Sequence, residues 1–229
     1  SYPDNLLFML GTFTVGTVVF WPYALLLSLL DLWKVPQTFW RYKVQPAREP
    51  TAAWYYKAIH QAAFNWVFVT IPFGAAVYGI IAYGQGRSIT MEELPSVSNI
   101  VRDLIVFALV EEIGFYYSHR LLHHPRIYKY IHKRHHEYTA PVGITAIYAH
   151  PIEHLVGNLT PLFLGPVIMR SHVMMLWIWI SIGLVNTINS HSGFALPWMP
   201  SPLEHDYHHQ VFNANYGVLG ICDMLHNTR

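Results

Sequence analysis

Residues 6–30 read LLFMLGTFTVGTVVFWPYALLLSLL, an apolar run without a charged side chain. A helix needs about 20 apolar residues to cross a bilayer, so this stretch alone is long enough. Composition agrees: of 229 residues, 53% are hydrophobic and 12% charged, and soluble domains carry about twice that charge. Mean hydropathy is +0.26. Further apolar runs follow at 62–84, 100–117, 155–169 and 173–190. Pro72 and the glycines of the second are tolerated in membrane helices. The third is interrupted by Arg102, Asp103, Glu111 and Glu112. The fourth is short, holds Pro161 and Pro166, and pairs with the fifth as a hairpin that barely crosses, or does not cross. The expected fold class is all-α: a polytopic membrane helix bundle of about four transmembrane helices with a cytosolic, histidine-rich helical cap.

Basic residues set the expected orientation. Lys34, Arg41, Lys43, Arg48 and Lys57 lie between the first two runs, Arg87 alone between the second and third, and Arg120, Arg126, Lys129, Lys133 and Arg134 after the third. The positive-inside tendency puts the 31–61 loop and the histidine clusters in the cytoplasm. It also makes the sequon at Asn158 incidental. Trp and Tyr fit interfacial belts. A formal net charge of +1 gives no pull toward nucleic acid. The lone Cys222 excludes an internal disulfide and a thiolate cluster, leaving nitrogen and oxygen as metal donors. The chain begins Ser1-Tyr2-Pro3 without Met, shows no cleavable signal, and reads as a fragment. Two parts are expected: N-terminal transmembrane helices with a cytosolic connecting loop over 1–99, and a histidine-bearing part over 100–229.

One pattern occurs twice, as His132-Lys-Arg-His135-His136 and His205-Asp-Tyr-His208-His209, with His119-Arg-Leu-Leu-His123 upstream of the first. Chance would give two HxxHH patterns in roughly one such chain in five hundred. On a helix His119 and His123 share a face. Within HxxHH the adjacent histidines diverge by about 100°, a wedge that serves two metals side by side better than one. Eight imidazoles exceed the four ligands of one zinc and suit two ions. His191, ending the fifth run, and His150, standing before Pro151 at a helix start, are further candidate ligands. His154 reads as a structural or supporting residue, His124 as exposed, and His60 and His172 as interfacial. Glu112 lies on the row that reaches His119 and is the expected hydrogen-bond partner of a ligating imidazole. Glu153 and Asp206 are the other acidic candidates for such support; with Glu137 and Glu204 they would be general bases in a zinc hydrolase. Spacing alone leaves iron and zinc open. A metal transporter would hold its ligands at mid-membrane on broken helices, whereas these clusters follow the apolar runs. A bis-histidine haem carrier would need paired histidines deep in the first two runs, which lack them.

The three clusters read HxxxH, HxxHH and HxxHH, and in this the chain resembles the fatty acid hydroxylase/sterol desaturase superfamily. The likeness is closest to the branch of C4-methylsterol oxidases and fatty acid hydroxylase domain-containing proteins. It is carried by the segments at 115–124, 148–153, 191–193, 215–217 and 223–226. His154 and Asn227 depart from the branch pattern, the latter standing where Gly is usual. The resemblance implies a membrane-bound non-haem oxygenase of the endoplasmic reticulum with two Fe ions. Electrons would come from NAD(P)H through cytochrome b5 and its reductase. The implied reaction is hydroxylation of a lipid C–H, foremost the C4-methyl group of a sterol, with a fatty-acyl or sphingolipid substrate as the alternative. An apolar tunnel from the bilayer to the metals is expected.

Overall fold

The structure, a computed structural model, describes residues 4–48, 51–81 and 94–229. Arg87 and the end of the 62–84 run lie outside the described residues. Helix α1 covers Asp4–Trp33, about 45 Å at 1.5 Å per residue. Helix α2 covers Ala52–Gly79 and starts ten residues before the apolar run. Its first turns bury a single stripe, Tyr55, Ala58, Ala62 and Asn65, which a hydropathy scan averages away. Thr51 begins it by accepting the Trp54 N–H. Residues Trp66–Thr70 form a π-turn within it.

Helix α3, Val97–Leu122, contains the charged third run. Val101, Ile105, Leu109, Ile113, Tyr117 and Leu121 form an exposed apolar stripe at four-residue spacing, while Asp103 and Glu112 are buried on the inner side. Helix α4 covers Pro151–Met169 and includes a π-turn over His154–Leu159. At 19 residues it is about 28 Å long, so the helix that contains the fourth run is long enough to cross. Arg170, in the left-handed region at φ 52°, closes it. Helix α5, Val173–His191, returns antiparallel. Among the described residues the four helices long and apolar enough to cross a membrane are α1, α2, α4 and α5; α3 is not among them.

Helix α1 packs along α5 and α3 along α4. Gly165 permits the second contact, because a Cβ there would lie 2.9 Å from the Phe107 backbone. One apolar core runs from Phe8 and Phe20 of α1 through Phe107 to Met175 and Ile188. At one end of the bundle sit two 3₁₀ turns, His132–Glu137 and Gly143–Ile147, and the helices α6, Leu203–Val211, and α7, Ile221–His226. The 34–48 segment docks at that end. Lys43 pairs with Phe194 in an isolated bridge and places its ammonium 2.7 Å from buried Asp31, which also accepts from the Tyr55 hydroxyl. The first basic loop and the histidine cap therefore lie on one side of the bundle.

Candidate metal centre

Nine imidazoles converge at the cap in two groups: five from His119, His123, His132, His136 and His208, and four from His135, His191, His205 and His209. Within each group the offered ligand atoms lie within 4.8 Å of one another. The groups adjoin, since the His136 and His209 rings are 4.6 Å apart. Each HxxHH cluster is shared between them. Its first and last histidines enter one group and its middle histidine enters the other. On α6 this follows from the angular divergence of an α-helix. The 132–136 cluster lies instead on a 3₁₀ turn, where residues three apart eclipse. The His132 and His135 rings accordingly stack at 5.4 Å, yet their nitrogens point into opposite groups.

Backbone carbonyls fix most of these rings. Nδ1 of His119 donates to the Tyr216 carbonyl at 2.8 Å, His208 to Ala214 at 2.6 Å, His135 to Tyr148 at 3.0 Å, His191 to Thr187 at 2.8 Å and His209 to Tyr138 at 3.0 Å. Nδ1 of His132 lies 2.8 Å from Glu153 Oε1. The carbonyl contacts assign the proton to Nδ1 in His119, His208, His135, His191 and His209 and leave their Nε2 as a bare lone pair. Bare nitrogens then face each other in His191 and His135, at 3.2 Å, and the Nε2 atoms of His119 and His132 also lie 3.2 Å apart. His136 and His132 approach to 2.9 Å, and His205 and His191 to 2.9 Å. Lone pairs turned on one another repel, and a cation between them removes the conflict. Imidazole suits Zn, Cu, Fe and Ni, so the residues present fit two transition-metal ions.

Burial keeps these rings neutral, the state a metal requires. Desolvation lowers His135 to about 4 and, with the neighbouring His123, lowers His208 to about 3. The same cause, reinforced by adjacent imidazoles, holds His132, His136, His205 and His209 far below their ordinary range.

The acidic candidates divide. Glu153 reaches an imidazole, that of His132. Glu112 does not: its carboxylate accepts the N–H groups of Val218, Leu219 and Cys222 and clamps the C-terminal loop. Asp206 accepts from Gln45 and Gln210, far from the expected role beside an imidazole. Asp223 accepts the N–H groups of Tyr216 and Gly217, which turns the Tyr216 carbonyl to His119. Gly217 is required there, because a Cβ would lie 2.8 Å from Glu112 Oε1 and 2.9 Å from Asp223 Oδ2. Thus Glu112 acts on the metal pocket through the loop rather than through a ring.

His150 stands apart from both groups. Its Nδ1 accepts the Ile152 N–H at 3.2 Å, so it starts α4 as expected but spends that nitrogen as a helix cap. His124 and His172 cap helices in the same way, accepting from Arg126 and Met174. Asn227, in the Gly position of the branch, is left-handed at φ 53°, a conformation Asn also tolerates. The carbonyl partners of the rings have no sequence signal, since any residue supplies a carbonyl. Glu153 had one, lying three residues from the capping His150, but no periodicity linked it to His132.

His191 and His205 line a cavity of about 1020 Å³, counting its open mouth, together with Phe115, Leu162 and Leu184. A chamber of about 350 Å³ reaches further in, to His119, His132 and His135.

A helical membrane bundle whose cap gathers imidazoles around an enclosed cavity defines a membrane protein with a histidine-built metal pocket. A profile of the Fatty acid hydroxylase family matches residues 104–228. The chain is 42% identical over 225 residues to Fatty acid hydroxylase domain-containing protein 2 of Homo sapiens, covering 97% of this chain and 67% of that protein. It is 40% identical over 203 residues to Fatty acid hydroxylase ahd1 of Mycosarcoma maydis, covering 89% and 53%. Methylsterol monooxygenase 1 of Gallus gallus is 37% identical over 184 residues, covering 77% and 62%. No solved structure matches the chain. The chain belongs to the fatty acid hydroxylase family. Membership supports a lipid hydroxylase, an oxidoreductase of the oxygenase kind, and the apolar helices make it a multi-pass membrane protein.

Proposed function

We propose that this protein is a membrane-bound, O₂-dependent di-iron monooxygenase that hydroxylates a lipid C–H. The observation that carries this is the pair of imidazole groups with opposed lone pairs, opening on a cavity at a membrane bundle. His119, His123, His132, His136 and His208 would hold one iron, and His135, His191, His205 and His209 the other; His150 is not among the proposed ligands. When bound and reduced, the irons supply O₂ activation. The chain's own residues do the rest. Carbonyl-bound Nδ1 atoms hold the rings rigid, Glu153 holds His132, and Phe115, Leu162 and Leu184 exclude water from the C–H that reacts. Residues 100–229 carry this chemistry, and 1–99 contribute α1, α2 and the docked loop.

The substrate we favour is the C4-methyl group of a sterol, on the resemblance to methylsterol monooxygenases. The identity to a fatty acid hydroxylase, 40%, favours a second reading, a fatty-acyl or sphingolipid substrate. Electrons would pass from NAD(P)H through cytochrome b5 and its reductase, with the cap on the cytosolic face of the endoplasmic reticulum. The test is turnover of the purified protein with NADH, cytochrome b5 and its reductase, given a 4-methylsterol or a long-chain acyl lipid. O₂-dependent hydroxylation of the sterol is the expected result. Hydroxylation of the acyl lipid alone selects the second reading, and no oxidation of either contradicts both.

A further inference from the structure

The 34–48 segment lies outside the stretch matched by the family profile, 104–228, yet it touches three segments that hold the four-membered group. Val44 donates its N–H to the Gly193 carbonyl and Ala195 donates to the Tyr42 carbonyl, both at 2.9 Å. These bonds tie the segment to the chain just after His191. Gly193 suits this close approach: its φ is 70°, and a Cβ there would lie 3.0 Å from the Pro141 carbonyl oxygen and 3.1 Å from Lys43 Nζ. Gln45 Nε2 donates to the Thr139 carbonyl at 2.9 Å, beside the Tyr138 carbonyl that receives Nδ1 of His209. The same amide donates to Asp206 at 2.9 Å, the residue after His205 on α6.

His205 needs an outside tie more than its partners do. His135, His191 and His209 each donate Nδ1 to a carbonyl. His205 makes its contacts through Nε2, to His191 and His209, and among the described residues none takes its Nδ1. It also lines the large cavity, so that side of the ring has no packed wall. Its place is therefore set by where α6 stands. Asp206, only 2% exposed, is the grip on that helix, because a buried carboxylate must be hydrogen-bonded. Its donors are Gln45 and Gln210. Gln210 belongs to α6 and moves with it, so Gln45 is the donor that fixes the helix to another part of the chain. Lys43 anchors Gln45 in turn: its ammonium is buried 2.7 Å from Asp31 and lies 4.6 Å from the centre of the Phe194 ring.

We propose that Gln45 is a positioning residue for the four-membered metal group, acting through Asp206 on His205, with Lys43 anchoring the segment that carries it. The cavity-facing half of the centre is then completed by the connection between α1 and α2, whereas the five-membered half is braced by Glu153 from α4. His208 shares α6 but has its own carbonyl at Ala214, so the tie bears on it less. The assignment rests on the two-ion part of the proposed function and not on the substrate.

The test is cobalt(II) binding by the full chain in nanodiscs, read by absorption under competition with a chelator. Cobalt belongs to the same affinity series as iron and zinc at nitrogen sites. His135→Ala removes a ligand from the four-membered group and so identifies that group's class of sites. Gln45→Glu keeps the side-chain length but sets a carboxylate against Asp206. It should weaken the same class about 10–100-fold and leave the other class nearly unchanged, which also shows that the chain is folded. Gln45→Ala, which removes the tie without repulsion, should give a smaller loss in that class. Adding Asp206→Asn to Gln45→Glu restores a donor and an acceptor across the contact and should recover most of the affinity, as a merely structural loss would not. Equal weakening of both classes, no weakening, or failure of the rescue would overturn the positioning role. A single class of sites in wild type would refute the paired centre and this assignment with it. Cobalt bound as expected by a protein that oxidises no lipid would refute the oxygenase function alone.

Discussion

The two imidazole groups differ in how they are held. In the four-membered group, His135, His191 and His209 each donate Nδ1 to a backbone carbonyl, so its support is neutral and rigid. In the five-membered group, His119 and His208 do the same, but His132 faces the carboxylate of Glu153. The groups also differ in what they face. His191 and His205 line the large cavity, and none of the five-membered set does. A metal in the smaller group would therefore meet the large cavity directly, while one in the larger group would be more enclosed and would have the buried Glu153 carboxyl beside it. Similar histidine patterns have produced two unlike sites.

The largest expected effects come from the residues that cross between the groups. His208→Ala removes a ligand from the five-membered group and His135→Ala one from the four-membered group. Both should take activity to background, and metal per chain should fall by about half or more. Full activity in either variant breaks the two-site account. Glu153→Gln sharpens the comparison, because it touches one group alone. Metal affinity of the five-membered group should weaken by about 10–100-fold, while the other group, followed by cobalt absorption, stays unchanged.

Acid should separate the groups more gently. In the unfolded chain each histidine titrates near 6.5, but burial lowers His135 to about 4 and His208 to about 3. Below 6.5 the unfolded chain then binds more protons than the folded one. The metal-free protein should therefore lose stability as pH falls from about 6.5 through 4 and continue to lose it toward 3, because His132, His136, His205 and His209 are held lower still, as thermal unfolding can follow. The smallest effect belongs to His150→Ala. Losing a cap should cost about 1 kcal/mol with metal content unchanged, and loss of metal would return His150 to the ligands.

The patterns legible in the sequence were those written in periodicity. Uninterrupted apolar runs gave α1 and α5 nearly to their ends, and the HxxHH spacing contained the division between two sites. The start of α2 was hidden because Tyr55, Ala58 and Ala62 bury one stripe of turns that also carry Lys57, His60 and Gln61. The crossing length of α4 was hidden because its first turns carry Glu153 and His154. Glu112 shows the limit of helical bookkeeping. Its position on the row to His119 was right, but a buried carboxylate takes the nearest donors, and loop N–H groups arrived from residues 106 to 110 positions away. His150 lies outside both imidazole groups, since a histidine before proline is held at the start of α4 as its cap.

The most direct measurement is the metal content of the full chain purified anaerobically with iron supplied. Two irons per folded chain, falling to about one in His135→Ala, is the expected result. One ion or none in a folded wild-type chain would contradict the paired centre.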